Sequence, residues 1–503
     1  MISRTKNPKI GFKTVLSYGA GDVFGGGAFA IAGLWLIFFY TNIAGLTPVE
    51  ATSIVAIGRF VDAFFDPLMG YITDNFYKTK LGRRFGRRGF FFLLGMPLSL
   101  TYALMWTVGF GGYWYYLLTY VMFGFVFSLI TVPYETLPAE MTRDFNTRSK
   151  LTTVRLLFSQ GATFLASWLP GVLIQIYGDD SPTSFLLMGV CFSIIYAIIM
   201  FCLYKFTWEQ PVVVSEQEQS SFRSDMRYLF KELISTFRVK TFRLHVLMYT
   251  GAFLAQDIFG ATFAFFITFA IGQDAVLASK LLSTMAVVQI IFVPIFAWFC
   301  IKFGNGAAYK IALTAVIGGI LGFVAIYYFV VAQVLLMLYL VSILMGIGRS
   351  GTFYVPWNIY SFVADVDQML TGKRREGIFA GVMTFTRKFV QSVAILLVGA
   401  FLESFGFISK QTVQSSSAVN GIIIVFGIGT IVFVLLGLLI STKFKLTRAN
   451  HKILLNEITR LQEGGSMDTV DSHTKEVVEE LTGWKYEQNW GNNQVVPARE
   501  KTV

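Results

Sequence analysis

The sequence predicts an all-α membrane protein in which twelve transmembrane helices form two six-helix bundles, with both termini in the cytoplasm. Three observations predict it: an apolar composition, twelve long apolar stretches, and basic residues concentrated in alternate loops. Of the 503 residues, 54% are hydrophobic, 16% aromatic and 14% charged, and the mean hydropathy is +0.61. Soluble domains carry about 25% charged residues, and a water-soluble chain could not bury this much apolar surface. The composition therefore excludes a soluble enzyme, a disordered chain and a disulfide-rich secreted module.

A helix needs about 20 apolar residues to cross the bilayer, and twelve stretches of the chain reach that length. They are 15–42, 48–76, 88–109, 113–138, 150–177, 183–206, 243–271, 276–302, 308–330, 332–363, 376–405 and 418–441. The ten-residue alternation typical of membrane strands is absent from the sequence. The first stretch is rich in glycine and is not followed by a cleavage site and a polar chain, so we expect a helix and not a signal peptide.

Lysine and arginine concentrate in alternate loops. They precede the first stretch and follow the second, fourth, sixth, eighth and tenth, as Arg4, Lys6, Lys9, Lys13, Lys78, Lys80, Arg83, Arg84, Arg87, Arg88, Arg143, Arg148, Lys150, Arg223, Arg227, Lys231, Arg238, Lys240, Lys302, Lys310, Lys373, Arg374 and Arg375. By the positive-inside rule these loops and both termini are cytoplasmic. The net charge of +11 is therefore explained by topology, and we expect no nucleic-acid partner.

The polar segments divide the chain into four parts. We predict an N-terminal six-helix bundle over 1–206, a cytoplasmic central loop over 207–242, a C-terminal six-helix bundle over 243–441 and a polar cytoplasmic tail over 442–503. The tail carries mixed charges, and we expect it to be solvated and not packed. The three cysteines lie in apolar runs without metal spacing, so we expect no disulfide framework, no zinc site and no cofactor.

A short internal repeat relates the two bundles. Val132-Pro133-Tyr134 is followed by Ala139-Glu140 and a basic loop, while Val355-Pro356-Trp357 is followed by Ala364-Asp365 and a basic loop. The two motifs end the fourth and tenth stretches, which are equivalent positions in two six-helix halves. Repeated halves of this kind predict a rocker-type transporter with its site between the halves at the membrane midplane.

Asp62 and Asp66 are the strongest candidates for a cation site. Their spacing of four places both carboxylates on one face of a helix, with Arg59 one turn earlier. Two close carboxylates in a low dielectric repel unless a cation lies between them or one is protonated. Their oxygens suit Na⁺, Li⁺ or H⁺, so the pair can act as a switch. The alternative is a structural salt-bridge network.

The remaining polar groups at membrane depth are candidates for binding substrate. Ionisable groups there cost about 2.5–3.5 kcal/mol each and usually face the bundle interior. Aromatic rings stack on sugars, and amides and hydroxyls bind their hydroxyl groups. The candidates are Asp22, Tyr134, Arg155, Tyr354, Trp357, Asn358 and Lys388. The alternative is that they pair or pack structurally, since aromatic residues are abundant throughout the chain.

A cluster of charges after the second stretch is a candidate gate. Gly70-Tyr-Ile-Thr-Asp74 precedes Gly82-Arg-Arg-Phe-Gly-Arg-Arg88, and a carboxylate at a helix end can pair with arginines across a tight turn. Breaking such a clamp on the cytoplasmic side is one way to gate alternating access. The candidates are Asp74, Arg83, Arg84, Arg87 and Arg88; the alternative is that they serve only as a topology signal.

These motifs together resemble the glycoside–pentoside–hexuronide:cation symporters, the melibiose-permease-like branch of the major facilitator superfamily. The resemblance covers about residues 11–441 and depends on Tyr18 to Asp22, Phe39-Tyr40-Thr41-Asn42, Asp62-x-x-x-Asp66-Pro67-x-x-Gly70, Pro133-Tyr134, and Arg375-Glu376 leading to Lys388. It implies the major facilitator fold and sugar uptake coupled to Na⁺, Li⁺ or H⁺.

The resemblance also implies roles for single residues. Asp62 and Asp66 match the family's cation-site carboxylates, Ser128 falls at a helix-4 hydroxyl of that site, and we include Thr131 as a further cation candidate. Arg155 and Lys388 match charged residues near the sugar, and Tyr354 or Trp357 falls where an aromatic residue packs on it.

The chain departs from melibiose permease in both the cation site and the sugar site. Phe65 stands where that protein has an asparagine beside the second carboxylate, and since a ring supplies no oxygen ligand, this favours H⁺. Thr131 replaces a sugar-binding aspartate, and Asp22 lies one turn before the partner position, Gly26. Melibiose itself is therefore not the expected substrate.

The function that we predict is secondary active transport: symport of a sugar or glycoside with H⁺ or Na⁺ by alternating access, by a monomer in the cell membrane. One alternative is a carrier of the same fold for a lipid, drug or peptide, and another is a membrane sensor that signals through its tail. We do not expect an enzyme, because two of the three histidines lie in the tail and the sequence contains no nucleophile–base pair.

Overall fold

The computed structural model describes residues 10–142, 144–178, 181–209, 231–329, 333–373 and 375–496. Within these ranges the chain is helical and contains no strand. The α-helices are α1 Phe12–Gly25, α2 Gly27–Ile31, α3 Pro48–Asn75, α4 Lys80–Phe85, α5 Gly89–Ser99, α6 Tyr113–Met141, α7 Phe145–Tyr177, α8 Pro182–Phe206, α9 Lys240–Phe265, α10 Ala275–Phe303, α11 Asn305–Tyr328, α12 Val334–Thr371, α13 Glu376–Ser404, α14 Ser416–Ile424, α15 Thr430–Thr442, α16 Arg448–Gln462 and α17 Ser472–Thr482.

Short π and 3₁₀ segments extend several of these helices. The π segments are Ala32–Leu36, Phe39–Ala44, Phe266–Ala270 and Val425–Gly429, and the 3₁₀ segments are Phe76–Lys78, Leu100–Trp106, Met467–Thr469 and Tyr486–Gln488. The predicted basic residues Arg4, Lys6, Lys9, Arg143, Arg223, Arg227 and Arg374, and residues 210–230 of the predicted central loop, lie outside the described residues.

Eleven helices of the described chain are long and apolar enough to cross a membrane. The other predicted stretch, 48–76, forms α3, a single helix of 28 residues. Its middle carries Arg59, Asp62 and Asp66, so it is more charged than the other eleven. A capping box fixes where α3 begins: the Thr47 hydroxyl accepts from the Glu50 amide, and the Glu50 carboxylate accepts from the Thr47 amide. This helix places the candidate cation site.

The two halves of the chain contact each other through α3 with α13 and through α7 with α10. At one end of the molecule the Val49 amide donates to Glu403 at 3.0 Å, and the Ser409 hydroxyl donates to the Leu46 carbonyl at 2.5 Å. At the same end Gly399 of α13 lies against α3, where a Cβ would meet the Thr52 hydroxyl oxygen at 1.9 Å. The halves are therefore closed together at the end that carries the α2–α3 and α13–α14 loops.

The expectation of a solvated tail is wrong for the described residues after 442. Helices α16 and α17 are amphipathic and bury one apolar face each, with Leu454, Ile458, Leu461, Val477, Val478 and Leu481. The amide of Trp490 donates to Met369 at 2.8 Å, and Thr241 donates to Leu481 at 2.6 Å. His451 of α16 lies 2.8 Å from Asp365 of α12. The tail is thus docked on the ends of α9 and α12.

Candidate functional site

Asp62 and Asp66, called the acid pair below, lie at the interface between the halves. Both carboxylates face Ser128 of α6, whose hydroxyl is 2.9 Å from Asp62 Oδ1 and 2.7 Å from Asp66 Oδ1. The Lys388 ammonium of α13 reaches both from the opposite half, 2.7 Å from Asp62 Oδ2 and 2.6 Å from Asp66 Oδ2. The Asp62 side chain is 1% exposed and that of Asp66 is 30% exposed. One lysine thus bridges two acids across the interface.

Two residues next to the acid pair direct their side chains to other partners. The Thr131 hydroxyl donates to the backbone carbonyl of Phe127 at 2.8 Å, within its own helix. The Phe65 ring packs edge-on against Phe125 at 5.4 Å. Of the four predicted cation candidates, the structure therefore brings together Asp62, Asp66 and Ser128, with Lys388 added from the predicted substrate residues.

A second charged group lies within the first half, where Arg155 bridges two acids. Its guanidinium is 3.0 Å from Asp22 and 3.1 Å from Glu135, and it lies 5.2 Å from the ring of Tyr134. Tyr134 is buried, stacks on Tyr18 and donates to the Tyr18 carbonyl at 2.8 Å. Asp22 and Arg155 are thus paired as one network, whereas Tyr134 supports it as a packing residue.

Of the three predicted residues of α12, Asn358 contacts α11 and Trp357 contacts α9. Asn358 donates to Asn305, the first residue of α11, at 2.8 Å, and the Tyr354 hydroxyl is 3.5 Å from Asn358. The Trp357 ring packs edge-on against Tyr249 at 5.6 Å and stays 38% exposed. Trp357 is therefore the most accessible of the three for a ligand.

The residues predicted to form a gate come together in part. Arg88 is 2.8 Å from Glu140 of α6 and 3.6 Å from Asp74, and Arg87 also pairs with Glu140. Glu209 accepts from the backbone amides of Arg87 and Arg88 at 2.6 and 2.7 Å, and burial raises the pKa of its carboxyl. These groups tie α3, α5, α6 and the segment after α8 into one cluster of the first half.

Arg83 and Arg84 stay outside that cluster. Both are exposed; Arg83 donates to the Lys78 carbonyl, and Arg84 lies over the Phe85 ring. Only three of the five predicted gate residues are therefore brought together.

Sequence reasoning did not assign Glu140, Glu209, Gln289 or Arg349 to a site. Gln289 of α10 donates to Gln160 of α7 at 3.2 Å across the halves, and both side chains are buried. A polar residue in the middle of an apolar helix is the signal that could have found Gln289 and Arg349. Glu140 was visible in the repeat, but only the fold brings it to Arg87 and Arg88.

Comparison with known proteins places this arrangement in a family. The profile of the MFS/sugar transport protein family matches residues 17–448. The chain belongs to this family. The predicted resemblance to the glycoside–pentoside–hexuronide symporters is confirmed, and the chain is a symporter-type transporter of the major facilitator superfamily. Its family and its apolar helices make it a multi-pass protein of the plasma membrane.

Individual relatives of the chain are distant in sequence. The Escherichia coli glucuronide carrier protein homolog is 26% identical, over 90% of this chain and 96% of the relative. The Danio rerio sodium-dependent lysophosphatidylcholine symporter 1-A is 24% identical, over 81% of each chain. Among solved structures, a bacterial homolog of the lysosomal transporter Spinster, inward-facing and unoccupied, has a TM-score of 0.60 at 13% identity, over 90% of this chain and 97% of that one. This likeness supports the fold alone.

Proposed function

We propose that the protein takes up a sugar or glycoside by symport with a cation, H⁺ or Na⁺, bound at the acid pair. The observation that supports this most directly is the bridge from Lys388 to both acids across the two halves. In this proposal the ammonium is an internal substitute for the coupling cation. It neutralises the carboxylates when the carrier returns empty.

Cation binding then competes with the lysine. A cation held by the acid pair and Ser128 displaces the ammonium, which frees Lys388 of α13 to bind a hydroxyl or an anionic group of the substrate. Cation binding therefore favours substrate binding, because it releases the ammonium that the substrate contacts. By linkage, substrate binding favours cation binding to the same extent. The membrane potential adds about 2.3 kcal/mol per charge per 100 mV to inward movement of a loaded cation.

The proposal includes the topology. Twelve membrane helices with cytoplasmic termini, a bundle over 1–206, a central loop over 207–242, a bundle over 243–441 and a cytoplasmic tail are the arrangement that we propose. The end closed by Val49 and Glu403 is then the extracellular end. The Arg88–Glu140 cluster then lies at the cytoplasmic end, where it holds the helices of the first half as one unit.

The identity of the cation depends on the ligand set. The described side chains at the acid pair supply carboxylate and hydroxyl oxygens, which suit Na⁺, but Phe65 supplies none and favours H⁺. The lysophosphatidylcholine symporter of Danio rerio is sodium-dependent by its name, which supports Na⁺. Both cations are therefore tested in the transport experiment below.

A second cargo has one observation in its favour. The relative from Danio rerio carries a lysophospholipid by its name, so a non-sugar substrate is the alternative. A lipid tail requires a wide apolar cleft with few charges. In this chain Asp22, Arg155 and Lys388 lie among the helices instead, and this supports a polar cargo.

The proposal is tested with the full chain in proteoliposomes. Labelled glycosides and lysophosphatidylcholine are each offered under an imposed inward gradient of H⁺ or of Na⁺, with potassium as the control. We expect accumulation of at least one glycoside above equilibrium with one of the two gradients. Accumulation of the lipid alone, or of no glycoside under either gradient, would contradict sugar symport.

A further inference from the structure

Two buried amides join the halves at their second interface, between α7 and α10. The amide nitrogen of Gln289 donates to the side-chain oxygen of Gln160 at 3.2 Å, and the two side chains are only 4% and 8% exposed. Further along the same helices, the Ser279 hydroxyl donates to the Ser167 carbonyl. Gln160 and Gln289, called the amide pair below, therefore form a neutral polar contact inside an interface that must rearrange during alternating access.

The amide pair is the counterpart of the acid pair in the two repeated halves. Helices α3 and α10 form the second predicted stretch of each half, and α7 and α13 form the fifth. Asp62 lies 14 residues after Pro48, the first residue of α3, and Gln289 lies 14 residues after Ala275, the first residue of α10. The same position is therefore charged in one interface and an amide in the other.

Both pairs lie at the same depth between the halves. Helix α10 begins at the same end of the molecule as α3, because Phe269, just before α10, packs against Phe407 of the α13–α14 loop at 5.4 Å. Fourteen residues of helix then span about 21 Å, at a rise of about 1.5 Å per residue. A cargo that binds between the halves at this depth therefore meets a charged interface on α3 and α13 and a neutral one on α7 and α10.

The amide pair is incompletely satisfied. Within the described chain, the Oε1 atom of Gln289 is buried and has no hydrogen-bond partner. A buried acceptor without a donor is costly, because it has lost its bond to water. A glutamine offers both an acceptor and two donors but no charge, so the pair fits a neutral polar group better than a cation.

We propose that the amide pair binds one hydroxyl group of the cargo, which donates to Gln289 Oε1 and accepts from an amide nitrogen of the pair. This inference rests on the proposed sugar symport and adds a subsite that selects among sugars. The bond between the two glutamines is the empty form of this subsite, as the Lys388 bridge is the empty form of the cation site. A hydroxyl both donates and accepts, whereas fluorine only accepts and would leave Oε1 unpaired.

Analogues of two simple glycosides test the inference. Labelled methyl β-glucoside and methyl β-galactoside are taken up by the full chain in proteoliposomes, in competition with analogues that carry hydrogen or fluorine in place of one hydroxyl. Inhibition constants are compared for the wild type, Gln289→Met and Gln160→Met, since methionine keeps the length of the side chain. Ser279→Ala is the control, because it removes a different hydrogen bond across the same interface.

We expect one hydroxyl to stand out in the wild type. Its replacement by hydrogen or by fluorine should raise the inhibition constant about tenfold, as expected for a hydrogen bond to a buried acceptor. Gln289→Met should raise the constant of the parent glycoside about tenfold and abolish the difference at that position alone. Gln160→Met should act in the same direction, and Ser279→Ala should keep the wild-type pattern.

Thermal unfolding of the empty transporter separates binding from packing. Replacing both partners of a hydrogen bond by apolar groups of similar shape is nearly neutral, so the double variant Gln160→Met/Gln289→Met should unfold close to the wild-type temperature. A large drop in that temperature, or equal losses for the parent and all analogues in Gln289→Met, would show a packing role and overturn the inference. Absence of uptake of both glycosides would also overturn it, whereas the broader panel above decides sugar symport itself.

Discussion

Replacing Lys388 by methionine removes the cation that both acids share and keeps the length of the side chain. At 2.6–2.7 Å from each carboxylate, a unit charge is attracted by about 6 kcal/mol per pair at an effective dielectric of 20. Desolvation of the ammonium offsets most of this, and removing one partner of a buried ion pair costs about 3–5 kcal/mol net. Because Asp66 is partly exposed and can be hydrated, we take the lower value, about 3 kcal/mol.

This free energy sets the expected change in cation binding. A coupling cation that must displace Lys388 in the wild type meets no competitor in Lys388→Met, so its affinity should rise by tenfold to about 100-fold, since 1.4 kcal/mol corresponds to a factor of ten. The empty variant should unfold at a lower temperature than the wild type. Na⁺ or acid should raise its unfolding temperature toward that of the wild type.

The assay is thermal unfolding of the purified transporter in detergent, titrated with Na⁺ and with H⁺. Lys310→Met is the matched control, because Lys310 is exposed on α11 and contacts neither acid. Uptake assays should show that Lys388→Met retains only part of the exchange of loaded carrier, because Lys388 also binds the substrate, and accumulates substrate slowly, since the empty site cannot be neutralised. Unchanged or weaker cation affinity in Lys388→Met would refute the competition between lysine and cation.

Three further predictions concern the site, the closed end and the tail. Ser128→Ala should weaken cation binding about tenfold, since a hydrogen bond to a charged group contributes about 1.5–3 kcal/mol, whereas Thr131→Val should not; equal effects in the same titration would contradict the assigned geometry. Gly399→Ala should disfavour closure of the end that carries the α2–α3 and α13–α14 loops by about 1–3 kcal/mol, because its methyl group would collide with α3, and should increase labelling of cysteines introduced there. Gly377→Ala on the same helix, where a Cβ meets nothing within 4 Å, should label like the wild type, and similar labelling of both variants would count against close packing. Burial raises the pKa of Glu457, but hydrogen bonds from Arg460 and Tyr486 outweigh it and hold the pKa below its usual value. Tail packing should therefore be strongest above about pH 4.3 and be lost as the pH falls through that lowered pKa. Proteolysis of the tail measures this, and Glu457→Gln should remove the pH dependence; an unchanged pH profile in the variant would contradict the assignment.

The acid pair could be predicted from sequence because its geometry is local. A spacing of four on one helix fixes that Asp62 and Asp66 share a face, whatever the rest of the chain does. Their pairing with Lys388, more than 300 positions away, depends on how α3 packs against α13, and no local pattern contains that information. The same holds for Asp257 of α9, whose partner Arg387 lies on α13.

For the aromatic candidate Tyr134, by contrast, the local sequence did not predict the contacts that the side chain makes. Tyr134 follows a proline in a motif shared by the halves, yet its hydroxyl and ring are used to pack α6 against α1. The residue type suggests a ring that stacks on a sugar, whereas in the structure Tyr134 is buried and stacks on Tyr18. The tail was misjudged for a related reason: its low mean hydropathy concealed two amphipathic helices whose apolar faces dock on α9 and α12.

Coupled transport by carboxamide variants tests most directly whether a cation held by Asp62 and Asp66 drives uptake. Proteoliposomes with wild type, Asp62→Asn or Asp66→Asn are given an inward gradient of the coupling cation, and accumulation and exchange of the substrate are measured side by side. We predict that each variant loses accumulation above equilibrium and retains part of the exchange. Accumulation equal to the wild type in both variants would contradict the claim.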